Sequence, residues 1–168
     1  MRWDRLFADL EASLDGVDRR GWDAEIAERE RDERARVGLA SRLLAREGAS
    51  VRAVLVDGAT VAGTVADAAG AWVLLEDPRG QVLVPLDAIA MIEGVGTAVA
   101  HLTEVRRRMG VGTVLRELAA TGDPVAVDTS AGRWAGRIAA VGADHLDLVA
   151  DRTVRTVPLA SLLAVRPA

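Results

Sequence analysis

His101 and His145 are the only histidines in the 168 residues, and no cysteine is present. A metal centre or a general base normally needs a second group at fixed spacing. Neither His-x-x-x-His nor Glu-x-x-His occurs around these two. Asp144-His145-Leu146-Asp147 is the densest polar cluster. If Leu146 and Leu148 face inward on a strand, parity puts Asp144 on their side and turns His145 and Asp147 outward. Ser13, Ser41, Ser50, Ser130 and Ser161 lack a nucleophile-elbow context. Gly94-Val95-Gly96 is too short for a phosphate loop, lacks its Lys-Ser/Thr, and reads as a boundary. No catalytic, cofactor-binding or metal-binding residue is therefore assigned, no cofactor is expected, and the expectation is a protein that is not an enzyme.

Two other groups could bind something. Arg106-Arg107-Arg108, with Arg116 nearby, is the strongest basic cluster and the candidate for nucleic-acid phosphate contact. Its alternative is a solvated helix end, where arginines complement the helix dipole before Gly110 and Gly112. Trp3, Phe7, Leu10 and Leu14 fall on one helical face and are the candidate partner-binding residues; packing within the chain is the competing use.

Composition bounds the rest. Half of the residues are hydrophobic and 27% are charged, the balance of a folded soluble chain. Aromatics make up 3%, so Val, Leu, Ala and Ile must build the core. A net charge of −4 argues against general attraction to nucleic acid or anionic lipid. The charge is uneven: Val51–Gly96 holds two arginines and six acidic residues, Thr97–Ala168 nine and seven. Every basic residue is arginine. No run approaches the roughly 20 apolar residues that span a bilayer. No signal peptide is evident, and the expected location is cytoplasmic, without membrane association.

The elements that must carry these residues occur twice. Gly63-Thr64-Val65, Val84-Pro85-Leu86 and Ile92 recur as Gly136-Arg137-Ile138, Val157-Pro158-Leu159 and Val165, each 73 residues later. An internal repeat constrains a fold more than any single motif. A leading helix recurs at a spacing of 74, from Val37-Gly38, Arg42 and Leu44 to Val111-Gly112, Arg116 and Leu118. The one-residue change must then fall in the first hairpin of each unit, a place that tolerates length change. Asp57-Gly58 marks that hairpin. Five short strands follow each leading helix, with one helical turn at Leu86-Asp87-Ala88 before the last. Trp22 to about Glu47 reads as one helix, and Thr97–Gly110 as a helical or linker segment.

Val54-Leu55-Val56-Asp57-Gly58 followed by Gly63-Thr64-Val65 resembles the Sm-like superfamily and, more broadly, SH3-like barrels. The whole chain also resembles uncharacterised proteins of high-GC Gram-positive bacteria. The resemblance implies an α+β, mainly β chain: two tandem Sm-like/SH3-like five-stranded small barrels, each preceded by a helix, with an N-terminal helical segment. The implied divisions are 1–36 (helical segment), 37–96 (first barrel), 97–110 (linker) and 111–168 (second barrel). The polar positions with which Sm-like proteins hold RNA fall near Ala69, Val73, Gly142 and Leu146 here. RNA binding at that place is therefore not expected. Gly63 and Gly136 fit a strand where a side chain would crowd the wall. His145 occupies the position of Trp72, which suggests an exposed site that accepts either ring. The expected function is a protein–protein interaction or assembly module with an unknown protein partner or a second copy. A nucleic-acid-associated regulator using the arginine-rich linker and second barrel is the alternative.

Overall fold

Alternation of side chains sets the first strand. In Ser50–Leu55 (β1) the residues Val51, Ala53 and Leu55 are buried, and Ser50 and Arg52 face outward. The computed structural model describes residues 24–32 and 35–168. They divide into two units, one ending at Val37 and one running from Gly38 to Ala168.

In the first unit, residues 24–32 are helical (α1). Arg29 and Glu25 pair at 2.7 Å across one turn. Ile26 is half exposed. The single helix expected from Trp22 to Glu47 is not formed. Gly38 is extended (φ −80°, ψ 155°) and caps a separate helix, Leu39–Leu44 (α2). The break has a local cause, because glycine gains least from continuing a helix.

In the second unit, ten antiparallel strands form one open sheet. After β1 come Thr60–Ala69 (β2), Trp72–Asp77 (β3), Gly80–Pro85 (β4) and Ile89–Glu93 (β5). Glu104–Arg108 (α3) and Val111–Thr121 (α4) follow. The remaining strands are Pro124–Thr129 (β6), Gly132–Val141 (β7), His145–Ala150 (β8), Thr153–Pro158 (β9) and Leu162–Pro167 (β10). Their spatial order is β5-β1-β2-β3-β4-β10-β6-β7-β8-β9, so among the described residues β5 and β9 are the free edges. A 3-10 turn precedes β5 at Leu86–Ala88 and another precedes β10 at Leu159–Ser161.

The two five-strand halves share order and register. Val51 faces Gly63 and Val125 faces Gly136. The β2/β3 ladder slips between Val65 and Asp67, and β7/β8 between Ile138 and Ala140. β1/β5 is irregular between Ile89 and Met91 and β6/β10 between Leu162 and Ala164, again at corresponding places. The length difference lies in the hairpin tips. Leu55 N–H donates to Ala59 around one turn, whereas Thr129 faces Gly132 across only Ser130-Ala131.

The helices correspond differently from the sequence expectation. Leu43 and Leu115 are the fully buried leucines of α2 and α4, and the caps are Gly38 and Gly110. Both pairs are 72 residues apart rather than 74. At a spacing of 74 the buried Leu43 would match the exposed Glu117. The buried face therefore fixes the match, and the difference is absorbed by the longer α4. It runs to Thr121 and leaves two residues before β6, whereas α2 ends at Leu44 and leaves five before β1. Gly122, at φ 71°, ends α4 in the left-handed conformation that glycine adopts without strain. Within Thr97–Gly110 only Glu104–Arg108 is α-helical, with Thr103 Oγ1 accepting from the Arg106 N–H at 3.3 Å.

Two aliphatic clusters form the core, and each borrows from the other half. Leu163 and Ala164 of β10 are buried among Leu55, Val61, Val82 and Val84. Ala69, Trp72 and Leu83 are buried among Leu115, Val127, Leu146 and Val165. Trp72 is only 5% exposed, contrary to the exposed position expected from its match with His145. The reason is placement: β4, the neighbour of β3, pairs with β10, whereas β9, the neighbour of β8, ends the sheet.

Candidate interaction surfaces

The basic cluster is largely neutralised. Arg106 bridges from α3 to β2, its Nη1 donating to Asp67 Oδ1 at 2.6 Å. Arg107 and Arg108 both pair with Glu104, at 3.2 and 2.7 Å. Gly70 lets α3 approach: its N–H donates to the Arg106 carbonyl at 2.9 Å, and a Cβ there would overlap the Arg107 carbonyl oxygen. The run therefore ties the linker to the sheet.

Arg116 is exposed on α4. It lines, with Arg108, a cleft of about 560 Å³ that also takes in Gly110–Thr113, the start of α4, and Val56 and Asp87 of the first half. The structure thus brings Arg108 and Arg116 together and directs Arg106 elsewhere. Helix-start N–H groups and two guanidiniums can donate to an anionic oxygen. Trp3, Phe7, Leu10 and Leu14 lie outside the described residues.

Asp144 precedes β8 and is 90% exposed, so it does not share the inward face of Leu146 and Leu148. Strand parity stops where the strand stops: Asp144 lies in a bend before β8, its carbonyl accepting from the Leu159 N–H at 2.7 Å. Its carboxylate lies 2.8 Å from His145 Nδ1. That hydrogen bond holds the His145 pKa above, and the Asp144 pKa below, the ordinary values. Any contribution of the pair to stability is lost as pH rises through the raised folded-state value of His145. It is also lost as pH falls through the lowered value of Asp144. In an NMR titration, the His145 ring midpoint is expected to fall on Asp144→Asn. An unchanged midpoint would mean that the contact does not persist in solution. Among the described residues no cluster of three or more potential metal ligands occurs, and none of the described helices is long and apolar enough to cross a membrane.

Sequence reasoning passed over the β5 edge and the groove beside β9. On β5, Met91 is 49% exposed, beside exposed Ala90 and Glu93. On β9, Val154 is 61% exposed. Next to it a groove of about 370 Å³ is lined by Thr129, Trp134, Arg155, Val157, Pro158 and Ser161. The Arg155 guanidinium sits 5.7 Å from the centre of the Trp134 ring, and Trp134 Nε1 donates to Thr129 Oγ1 at 3.3 Å. Asp128 is a second overlooked centre. It accepts from Arg133 at 2.5 Å and pairs with Arg166 at 3.0 Å, joining β6, β7 and β10. The available signal was the comparison of corresponding positions: Trp134 and Arg155 stand where the first half has Val61 and Val82.

No protein-family model matches this chain, and no curated protein matches it.

Proposed function

We propose that this chain is a non-enzymatic protein–protein interaction or assembly module, made of two Sm-like/SH3-like small barrels that arose by duplication. The reading rests on one observation above the others: β4 and β10 already join the two halves edge to edge, and the corresponding edges β5 and β9 are free. An unpaired strand offers a row of main-chain donors and acceptors to any extended segment. Exposed apolar side chains on both edges, Met91 and Val154, add area for such a segment to cover. The matching registers and ladder irregularities of the two halves support the duplication.

The test places a photo-crosslinking residue at position 91 or 154 of the full chain in its native cell extract. Discrete crosslinked protein species are expected from both positions and not from a control at exposed Asp123. Their absence from both edges overturns the reading.

A nucleic-acid-associated regulator is the second reading, favoured by the convergence of Arg108 and Arg116 on the cleft at the start of α4. The ion pairs of Arg106–Arg108 weigh against it. It requires binding to DNA or RNA that weakens with salt and falls about tenfold in R108A/R116A. Anisotropy titrations that show no salt-dependent binding exclude it.

A further inference from the structure

The β4/β10 junction shows what covers such an edge. At its centre Val165 of β10 faces Leu83 of β4. The neighbouring Leu163 and Ala164 fill a trough lined by Leu55, Val61, Val82, Val84 and Ala88. Transferred to the second half, those trough positions become Thr129, Trp134, Arg155, Val157 and Ser161. All five line the groove beside β9, which is open. Transferred to the first half, the filling pair Leu163-Ala164 becomes Ala90-Met91 on β5, both exposed. One edge thus carries an empty trough and the other carries the matching plug.

We propose that a second copy of this chain covers β9, its β5 pairing antiparallel with Ile92 opposite Thr156 and its Ala90-Met91 seated in the Trp134–Arg155 groove. The proposal rests on the assembly reading above and names its partner. Three features favour it. First, Ala-Met replaces Leu-Ala with the larger side chain moved by one position, so the plug keeps similar bulk, and a methionine suits an irregular groove walled by an aromatic ring. Second, charges are complementary. At the internal junction Arg79 and Arg166 line one cleft with Asp77, and Arg166 is held by Asp128. The counterparts of the two arginines at the intermolecular junction are Arg152 and Glu93, of opposite sign. Third, among the described residues Glu93 has only a long contact of 3.8 Å to Arg52, with both side chains more than half exposed, so it is available to a partner.

The intermolecular seam is also more polar than the internal one. His145 and Thr156 stand where Trp72 and Leu83 are buried. Association is therefore reversible and concentration-dependent. The two surfaces differ, so each copy uses one edge of each kind. Such heterologous contacts give rings where the rotation closes and filaments where it does not.

Sedimentation velocity of the full chain over rising concentration tests this. Mass should grow with concentration and fall with salt. M91D alone and R155D alone should each weaken self-association at least about tenfold. An equimolar mixture of the two should form a two-chain species, because M91D keeps its β9 and R155D keeps its β5. A chain that stays monomeric at every concentration overturns the proposal. So does a mixture that forms no such species. Association untouched by either variant also overturns this pairing and leaves the broader assembly reading standing. Should a variant fail to fold, cysteine placement gives the answer, since the native chain contains none. Mixed I92C and T156C chains should form a disulfide between copies on oxidation. A mixture that yields no I92C–T156C disulfide refutes the register.

Discussion

Replacing Leu163 with alanine is expected to cost about 2–5 kcal/mol, the range for emptying a closed aliphatic site. Leu163 belongs to β10 in the second half yet is buried among first-half side chains, at 4% exposure. The truncation should therefore do more than lower the midpoint of urea unfolding. It should loosen the seam between halves, exposing Trp72, which sits on the other side of the same junction. A red shift of tryptophan emission below the main transition would report that opening. Faster amide exchange along β4 than along β7 would accompany it. A loss below about 1 kcal/mol would place Leu163 outside the packed core, contrary to the contacts described here.

Gly63→Ala and Gly136→Ala are expected to cost about 3 kcal/mol each, at the upper end for overpacking. A Cβ on Gly63 would stand 2.6 Å from the Glu76 carbonyl oxygen and 3.2 Å from Leu75 Cβ. On Gly136 it would meet the Val149 carbonyl oxygen at 2.7 Å and Leu148 Cγ at 2.8 Å. The obstacle in both cases is the backbone of the neighbouring strand, which cannot rotate away as a flexible side chain can. The ladder itself must spread. Neither glycine has a positive φ, so the demand is for space rather than for an unusual backbone. Chemical denaturation of the two variants should give similar losses. A near-neutral result at either site would show that β2 and β3, or β7 and β8, lie farther apart than described.

These two glycines were legible in the sequence, because their spacing matched that of the Val-Pro-Leu turns and of the final strands. The strands, the Asp57-Gly58 hairpin and the turn at Leu86–Ala88 were legible for the same kind of reason. Each depends on residues within a few positions of one another. Trp72 was misread because it is buried in the cluster of the second half, with members such as Val165 about ninety residues away in the chain. Arg106 read as a free cation because its partner, Asp67, lies 39 residues upstream with no local pattern to announce it. Asp144 was placed inward by extending strand parity past the first ladder residue. The helix match was misjudged by one frame choice: arginines and small residues aligned at 74, whereas burial of Leu43 and Leu115 aligns at 72. The groove beside β9 could be found only once the β4/β10 junction showed which residues fill the corresponding trough.

The tip between β1 and β2 has a practical use. Its counterpart between β6 and β7 closes with one residue fewer, and the strands on either side keep their partners. At the longer tip, Asp57 Oδ1 accepts from the Ala59 N–H at 2.9 Å and Gly58 turns the chain at φ 86°. The fold has in effect already tried two lengths there. A fluorescent peptide tag or an affinity epitope grafted between Asp57 and Gly58 should leave both cores undisturbed, providing a handle for labelling the chain that spares β5, β9 and the termini.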